Sequence, residues 1–219
     1  MNKTKYLYAI LPHRGIAAGK SRLATVLDDG ARCALNRWLL ERTLQLVSAW
    51  LGDAKRCVVV SPCADTLALA RTAGAVALRE QAPPQGLNAA LAQGAAHAAT
   101  LGAHRLLILP CDLPRLELAA LQSMAALADT GCAAVIAPDR HNAGTNALLV
   151  DASVREFAFG ANSFVRHVAL AEARGTHALT CANPALAFDL DSAGDFAQWM
   201  RSGDERPDFL TAWVPVPAA

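Results

Sequence analysis

A Rossmann-like α/β fold, with a mainly parallel sheet covered by helices on both faces, follows from three features of the sequence. Apolar strand-like runs alternate with helical patterns up to residue 138, the order that builds parallel sheets. The run Leu106-Leu107-Ile108-Leu109-Pro110 is apolar throughout, as suits a central strand buried on both faces. A loop rich in glycine and cations follows the first apolar run, in the place where open α/β sheets bind ligands.

The strand-like runs lie at 6–11, 57–61, 75–78, 106–110 and 132–137, and helical patterns at about 31–51, 64–73, 87–101 and 116–129. In the first helix Leu35, Trp38, Leu39, Leu46 and Trp50 supply apolar spacings of three and four, while Asn36, Arg37, Glu41 and Gln45 read as its polar side. Beyond 138 the rhythm changes, predicting a smaller C-terminal β insertion. A polar loop, 138–146, leads to a short strand, 147–150. A helix over 163–174, strands at 177–181 and 185–189, and a helix over 192–201 follow.

The chain has 219 residues, enough for one domain. Residues 1–202 read as that domain. Residues 203–219 read as a tail, whose Leu210, Trp213, Val214 and Val216 dock on the body or on a second copy in a homodimer. Hydrophobic residues make up 53% and charged ones 18%, the balance of a globular protein. A formal net charge of +1 gives no footprint for nucleic acid or an anionic membrane. The Ala-rich stretch 89–103 falls short of a membrane span. Six cysteines without a CxxC pair fit reduced thiols in a cytoplasmic protein.

The loop Pro12-His13-Arg14-Gly15-Ile16-Ala17-Ala18-Gly19-Lys20-Ser21-Arg22 resembles a Walker loop but fails its spacing. Only three residues separate Gly15 from Gly19-Lys20-Ser21, where a Walker loop has four. Its chemistry still favours a polyphosphate: glycines admit backbone N–H groups, and Lys20 and Arg22 add charge. The alternative is a solvated basic connector.

Asp112 ends the central run between Pro110 and Pro114. A carboxylate there either holds a hard cation or caps the next helix. Asp189 and Asp191 lie two apart, so an extended backbone presents both to one point. With Asp112 they make three oxygen donors suited to Mg²⁺. Alternatively Asp191 or Ser192 caps the last helix. Gly86 permits close approach, and the Asn88 amide either reads a base edge or caps a helix. Ser163 opens a helix whose first turn carries Arg166 and His167, a pattern that suits a docked anion or plain surface charge.

Taken in order, Gly19-Lys20-Ser21-Arg22-Leu23, Gly86-Leu87-Asn88-Ala89-Ala90-Leu91, Pro110-Cys111-Asp112-Leu113-Pro114, Ala137-Pro138-Asp139-Arg140, Gly144-Thr145-Asn146-Ala147-Leu148, Phe159-Gly160 through Ser163-Phe164, and Asp189-Leu190-Asp191 resemble the 2-phospho-L-lactate guanylyltransferase family of deazaflavin coenzyme F-420 biosynthesis. That family is related to the sugar-nucleotide and molybdenum-cofactor (MobA-like) nucleotidyltransferases. The resemblance implies a three-layer α/β/α, GT-A-like nucleotidyltransferase fold. It implies transfer of GMP from GTP to the phosphate of 2-phospho-L-lactate, phosphoenolpyruvate or 3-phosphoglycerate, with release of pyrophosphate.

By position, Lys20 and Asp112 would be catalytic. Pro12, Arg14, Gly15, Gly19, Lys20 and Arg22 would hold the triphosphate, and Gly86, Leu87 and Asn88 the base. Thr145, Gly160, Ser163 and Arg166 would hold the acceptor. Asp112, Asp189 and Asp191 would hold one or two Mg²⁺ ions. The chain departs from the family in having His13-Arg14 where a lysine is usual, and Cys111 where alanine is usual. A molybdenum-cofactor guanylyl- or cytidylyltransferase, and a non-catalytic nucleotide-binding protein, are the competing readings.

Overall fold

The computed structural model describes residues 6–130 and 134–211. Seven strands form one sheet: β1 (Leu7–Pro12), β2 (Cys57–Ser61), β3 (Val76–Arg79), β4 (Arg105–Ile108), β5 (Ala134–Pro138), β6 (Thr145–Asp151) and β7 (Ala178–Thr180), in the order β3-β2-β1-β4-β6-β5-β7. All pairings are parallel except those of β6, which runs antiparallel to both β4 and β5. The C-terminal strands therefore extend the main sheet. Residues 131–133, where the fifth strand was expected to begin, lie outside the described residues.

Strand residues alternate between two cores, as a pleated sheet covered on both sides requires. Leu11, Val59, Leu107, Val135 and Leu149 face one core, with Leu44 and Val47 of α1 (Asp29–Leu51), Leu69 of α2 (Ala64–Thr72) and Leu121 of α4 (Leu118–Ala128). Ile10, Val60, Ile108, Ile136 and Leu148 face the other, with Leu91 and Ala95 of α3 (Leu87–Thr100) and Ala171 of α5 (Ser163–Ala173). At Gly94 of α3, an added Cβ would stand 2.7 Å from Ile10 Cγ2 and 2.9 Å from Val60 Cγ2. Only a glycine lets this helix lie so close to the sheet.

A third cluster, off the sheet, positions the site. Leu23 and Leu27, with Leu35 and Leu39 from the start of α1, pack against Phe188, Leu190 and Leu210, and against Phe196 and Trp199 of α7 (Ala193–Arg201). Helix α1 thus serves two cores. Its buried residues are Leu35, Asn36, Leu39, Leu40, Thr43, Leu44, Val47 and Leu51; of the stripe expected, Leu35 and Leu39 are buried, while Trp38, Leu46 and Trp50 are only partly so. Leu210 is buried, and Glu205 and Asp204 pair with Arg42 and Arg115; Trp213, Val214 and Val216 lie outside the described residues.

The expected strand at 185–189 is a correction. Residues Pro184–Ala187 form a helical turn, α6, capped by the Asn183 side chain, which accepts from Ala185 N–H at 2.9 Å. Asn at the cap with Pro at the first helical position is a helix start signal that outweighs four apolar residues. Among the described residues no helix is long and apolar enough to cross a membrane, and the five described cysteines are free.

Replacing Gly94 by alanine should destabilise the fold by about 1–3 kcal/mol through overpacking. Urea denaturation of Gly94→Ala checks this, and an unchanged midpoint would contradict the close approach.

Candidate active site

The carboxyl ends of β1 and β4, adjacent and parallel, open side by side, and the chain leaves them in loops that face each other. The loop after β1 ends at Lys20, a non-glycine residue in the left-handed region (φ 58°). Such a conformation costs free energy and persists only where its surroundings enforce it. The enforcement is visible at Gly19, where an added Cβ would stand 2.7 Å from Asn36 Nδ2. Asn36, buried on α1, donates through Nδ2 to the Ile16 carbonyl at 2.8 Å and so holds the loop. It was expected on the solvent side of α1; a polar residue inside an apolar stripe was the available signal.

From this turn the Lys20 ammonium reaches both acidic segments. Its Nζ lies 3.2 Å from Asp191 Oδ1 and 3.5 Å from Asp112 Oδ2, with the lysine side chain only 9% exposed. The Leu190 N–H donates to the Asp112 carbonyl at 3.0 Å. Phe188 and Leu190 are buried in the third cluster, so Asp189 and Asp191 alternate toward the opposite side. Burial thus alternates along 188–191, in a segment that lies outside the strands of the sheet among the described residues.

Burial pushes the Asp189 carboxyl above its ordinary range, and the charges of Asp112 and, more weakly, Asp191 push the same way. Three carboxylates are thus concentrated in one region. Their chemistry fits a hard divalent cation, which takes oxygen donors and relieves such mutual repulsion. Among the described residues, however, no three acids already stand as a ligand set, and Lys20 fills the gap between Asp112 and Asp191. Neither acid caps a helix. Ser192 caps α7 in a reciprocal box with Asp195, and Glu117 precedes α4.

A cleft of about 500 Å³ is lined by Pro12, Arg14, Gly15, Gly19, Lys20, Arg22, Asn36, Leu87, Asp112 and Asp191, among others. Arg14 and Arg22 are exposed at the surface. His13 is not a cation here. Its Nδ1 accepts from Gly15 N–H at 3.2 Å and contacts Thr66 Oγ1 at 3.3 Å. Burial, and then the Lys20 charge, lower its pKa to about 4. Ser21–Leu23 make a single 3-10 turn, where a Walker loop would run straight into its helix.

Among the residues expected at the base, Leu87 lines the cleft, and Gly86 caps α3 with φ 94°. Asn88 is redirected. Its Nδ2 donates to the Phe159 carbonyl at 3.1 Å, and its Oδ1 accepts from Phe159 N–H at 2.9 Å. Both ends of the amide expected at a base edge are taken by backbone, and the residue does not cap the helix either.

The residues expected to hold the acceptor lie around α5, outside the lining of that cleft. Thr145 and Ser163 are buried, and Gly160 (φ 119°) and Arg166 are exposed. His167, expected in a charged first turn, points inward. Its Nδ1 lies 2.9 Å from Thr145 Oγ1, and its Nε2 accepts from Ala158 N–H at 3.1 Å. Burial, and then Arg166, lower its pKa to about 4. Asp139 and Arg140, part of a motif in the sequence but with no role assigned to either there, both make side-chain contacts. Asp139 ties its loop by accepting from the N–H groups of His141, Ala143 and Gly144. Arg140 pairs with Asp195 and lies over the Phe188 ring.

The family model described as "Guanylyl transferase CofC like" matches residues 7–210. The chain belongs to that family. It is 39% identical over 198 residues to a phosphoenolpyruvate guanylyltransferase of Rubrobacter xylanophilus, covering 90% of this chain and 95% of that one. It is 38% identical over 196 residues to a 3-phospho-D-glycerate guanylyltransferase of Phenylobacterium zucineum, covering 88% and 89%. Among solved structures, a chain from Desulfovibrio desulfuricans G20 assigned to the nucleotide-diphospho-sugar transferases superposes with a TM-score of 0.71. It shares 17% identity over 90% of this chain and 87% of that one, a likeness of fold. The CofC-like protein is accordingly a nucleotidyltransferase in fold and in family.

His13 and His167 stay neutral in the folded protein down to about pH 4, whereas an unfolded histidine takes up its proton near 6.5. Between those values the unfolded chain binds more protons, so stability falls as pH falls. Urea denaturation across this range should show a slope shallower by up to ~1.4 kcal/mol per pH unit in His167→Asn than in the parent. Equal slopes would contradict a buried neutral His167.

Proposed function

We propose that this protein transfers GMP from GTP to the phosphate of a small phosphorylated carboxylic acid and releases pyrophosphate. Phosphoenolpyruvate or 3-phosphoglycerate, the acids in the names of its relatives, and 2-phospho-L-lactate are the acceptors. The reaction belongs to deazaflavin coenzyme F-420 biosynthesis, as the resemblance implies. The observation that carries the reading is Lys20, placed between Asp112 and Asp191 at the floor of a glycine-lined cleft.

In this reading an oxygen of the acceptor phosphate attacks the α-phosphorus of GTP. The bond from the α-phosphorus to the bridging oxygen breaks, and pyrophosphate leaves with that electron pair. A phosphate dianion is already nucleophilic, so the protein needs no general base. Its contribution is positioning and charge. The N–H groups of the loop around Gly15 and Gly19 approach the triphosphate, Lys20 offsets charge on its outer phosphates, and Arg14 and Arg22 close on it from the rim. Gly86 and Leu87 flank the base. Thr145, Gly160 and Ser163 receive the acceptor, with Arg166 beside them. Asp112, Asp189 and Asp191 would hold Mg²⁺, one ion or two. When bound, Mg²⁺ supplies charge neutralisation at the reacting phosphates.

Incubation with GTP, Mg²⁺ and each phospho-acid, followed by mass analysis, should give the guanylylated acid and pyrophosphate. A parallel panel of CTP, ATP and UTP, and of molybdenum-cofactor precursors as acceptors, separates related transferases. Binding of GTP without pyrophosphate release under any pairing would sink the catalytic reading. Asp112→Asn should lower turnover by about two orders of magnitude or more with unchanged circular dichroism; near-normal turnover removes its role. Lys20→Ala should raise the KM for GTP about tenfold or more, since one charge-assisted contact is lost. Unchanged GTP kinetics would refute that assignment.

A further inference from the structure

The strip Ala158-Phe159-Gly160 is held by side chains from two helices, α3 and α5. From the base side, the first turn of α3 sends Asn88, whose amide exchanges two hydrogen bonds with the backbone of Phe159. From the acceptor side, α5 sends His167, whose Nε2 accepts from Ala158 N–H and whose ring meets the Phe159 ring edge-on at 4.7 Å. The backbone amide of Ala158 can only donate, so Nε2 carries no proton and the neutral ring must carry it on Nδ1. That N–H then donates to Thr145 Oγ1, 2.9 Å away. The threonine oxygen is thereby used as an acceptor by His167, and its own hydrogen is left to donate to another partner.

We propose that Asn88 and His167 are positioning residues that couple nucleotide binding to acceptor binding through the Ala158–Gly160 strip. Asn88 fixes the height of the strip from the residue pair, Gly86 and Leu87, that flanks the base. His167 fixes its other end and sets the Thr145 hydroxyl as a hydrogen-bond donor, the polarity that an anionic phospho-acid requires. The left-handed Gly160 (φ 119°), whose carbonyl accepts from Ser163 N–H, carries the setting of the strip into the start of α5. The proposal rests on the reading of Thr145, Gly160 and Ser163 as acceptor-side groups. It assigns Asn88 to the acceptor rather than to guanine.

The test separates the two substrates. GTP binding without acceptor is measured by calorimetry, and the KM for phosphoenolpyruvate and for 3-phosphoglycerate at saturating GTP, in Asn88→Ala, Asn88→Asp, His167→Phe and His167→Asn. Two lost hydrogen bonds predict an acceptor KM raised about ten- to thirtyfold in Asn88→Ala, with GTP binding alone changed less than about threefold. Asn88→Asp keeps the acceptor for Phe159 N–H and should fall between. His167→Phe keeps the ring and loses both hydrogen bonds, so it should raise acceptor KM similarly. His167→Asn keeps a donor near Thr145 and should recover part of the loss, which a purely space-filling role would not allow. The double variant Asn88→Ala/His167→Phe should cost less than the product of the two single effects, because both act through one strip.

Weakened GTP binding in Asn88→Ala with unchanged acceptor KM would place Asn88 at the base and overturn the proposal. So would full multiplicativity in the double variant. Amide hydrogen exchange gives a readout independent of turnover. Phe159 N–H should exchange faster in Asn88→Ala, Ala158 N–H should follow it, and GTP should slow both in the parent. If the parent transfers GMP to no phospho-acid, the functional reading fails, and exchange alone decides the clamp. Unchanged exchange at Phe159 in Asn88→Ala then overturns it.

Discussion

The site depends on one backbone hydrogen bond and the apolar cluster behind it. Leu190 N–H meets the Asp112 carbonyl, joining the loop after β4 to a segment nearly eighty residues away in the chain. The bond could not form if the later segment were free to slide. Phe188 and Leu190 prevent this by burying themselves among Leu23, Leu35, Leu39, Phe196 and Trp199. Burying a leucine or phenylalanine side chain is worth about 1.5–3 kcal/mol, more than a typical net hydrogen bond of ~1 kcal/mol. The apolar contact therefore sets the register, and the hydrogen bond records it. Asp189 and Asp191, the less buried members of that alternating segment, are thereby kept near Asp112, close enough for its charge to act on Asp189 and for Lys20 to reach both Asp112 and Asp191.

The same cluster explains how a strained lysine is held. Leu23 lies three residues beyond Lys20 and anchors the loop in the third core, while Asn36 presses on Gly19 from α1. Between these two fixed points Lys20 takes a left-handed conformation that few residues other than glycine adopt. Its ammonium is desolvated and flanked by two carboxylates, so the cost of burying the cation is offset by charge pairing. An ammonium held this way is preorganised. It need not search for its position, and an anion of higher charge than a carboxylate would compete for it with Asp112 and Asp191.

Much of this was legible in the sequence because it is periodic. The central strand, the three acids and the cationic loop all announce themselves by spacing, and the paired strands fall where apolar runs predict. What escaped was decided by tertiary contacts. Asn36 reads as a surface residue until the loop folds over it. The Asn88 amide looks free until Phe159, seventy-one residues away, supplies a matching backbone N–H and carbonyl. His167 sits beside Arg166 in sequence, but the turn of about 100° per residue puts it on the buried face and Arg166 on the exposed one. The segment 185–189 differs in kind, since Asn183-Pro184 is a local helix start signal that outweighs the apolar content after it. The histidines mark the general boundary: a titratable side chain shows its residue type in sequence, and its burial only in the fold.

The reversal of β6 is what brings a second set of polar side chains to the same edge. Strands β1 and β4 run in one direction and deliver the loops carrying Lys20 and Asp112 from their carboxyl ends. A parallel neighbour would begin at the far edge and carry Thr145 with it. Because β6 is antiparallel to β4, with Arg105 opposite Asp151 and Ile108 opposite Leu148, it starts where β4 ends. Thr145 therefore lies at the edge where Asp112 emerges. Strand β5 pairs with β6 in turn and ends at Pro138 on that edge, so Asp139 and Arg140 emerge there too. The parallel half of the sheet thus delivers Lys20 and Asp112 to this edge, and the antiparallel pair delivers Thr145, Asp139 and Arg140 to it. A sheet of one direction would have needed a long excursion to bring a second set of side chains to the same place.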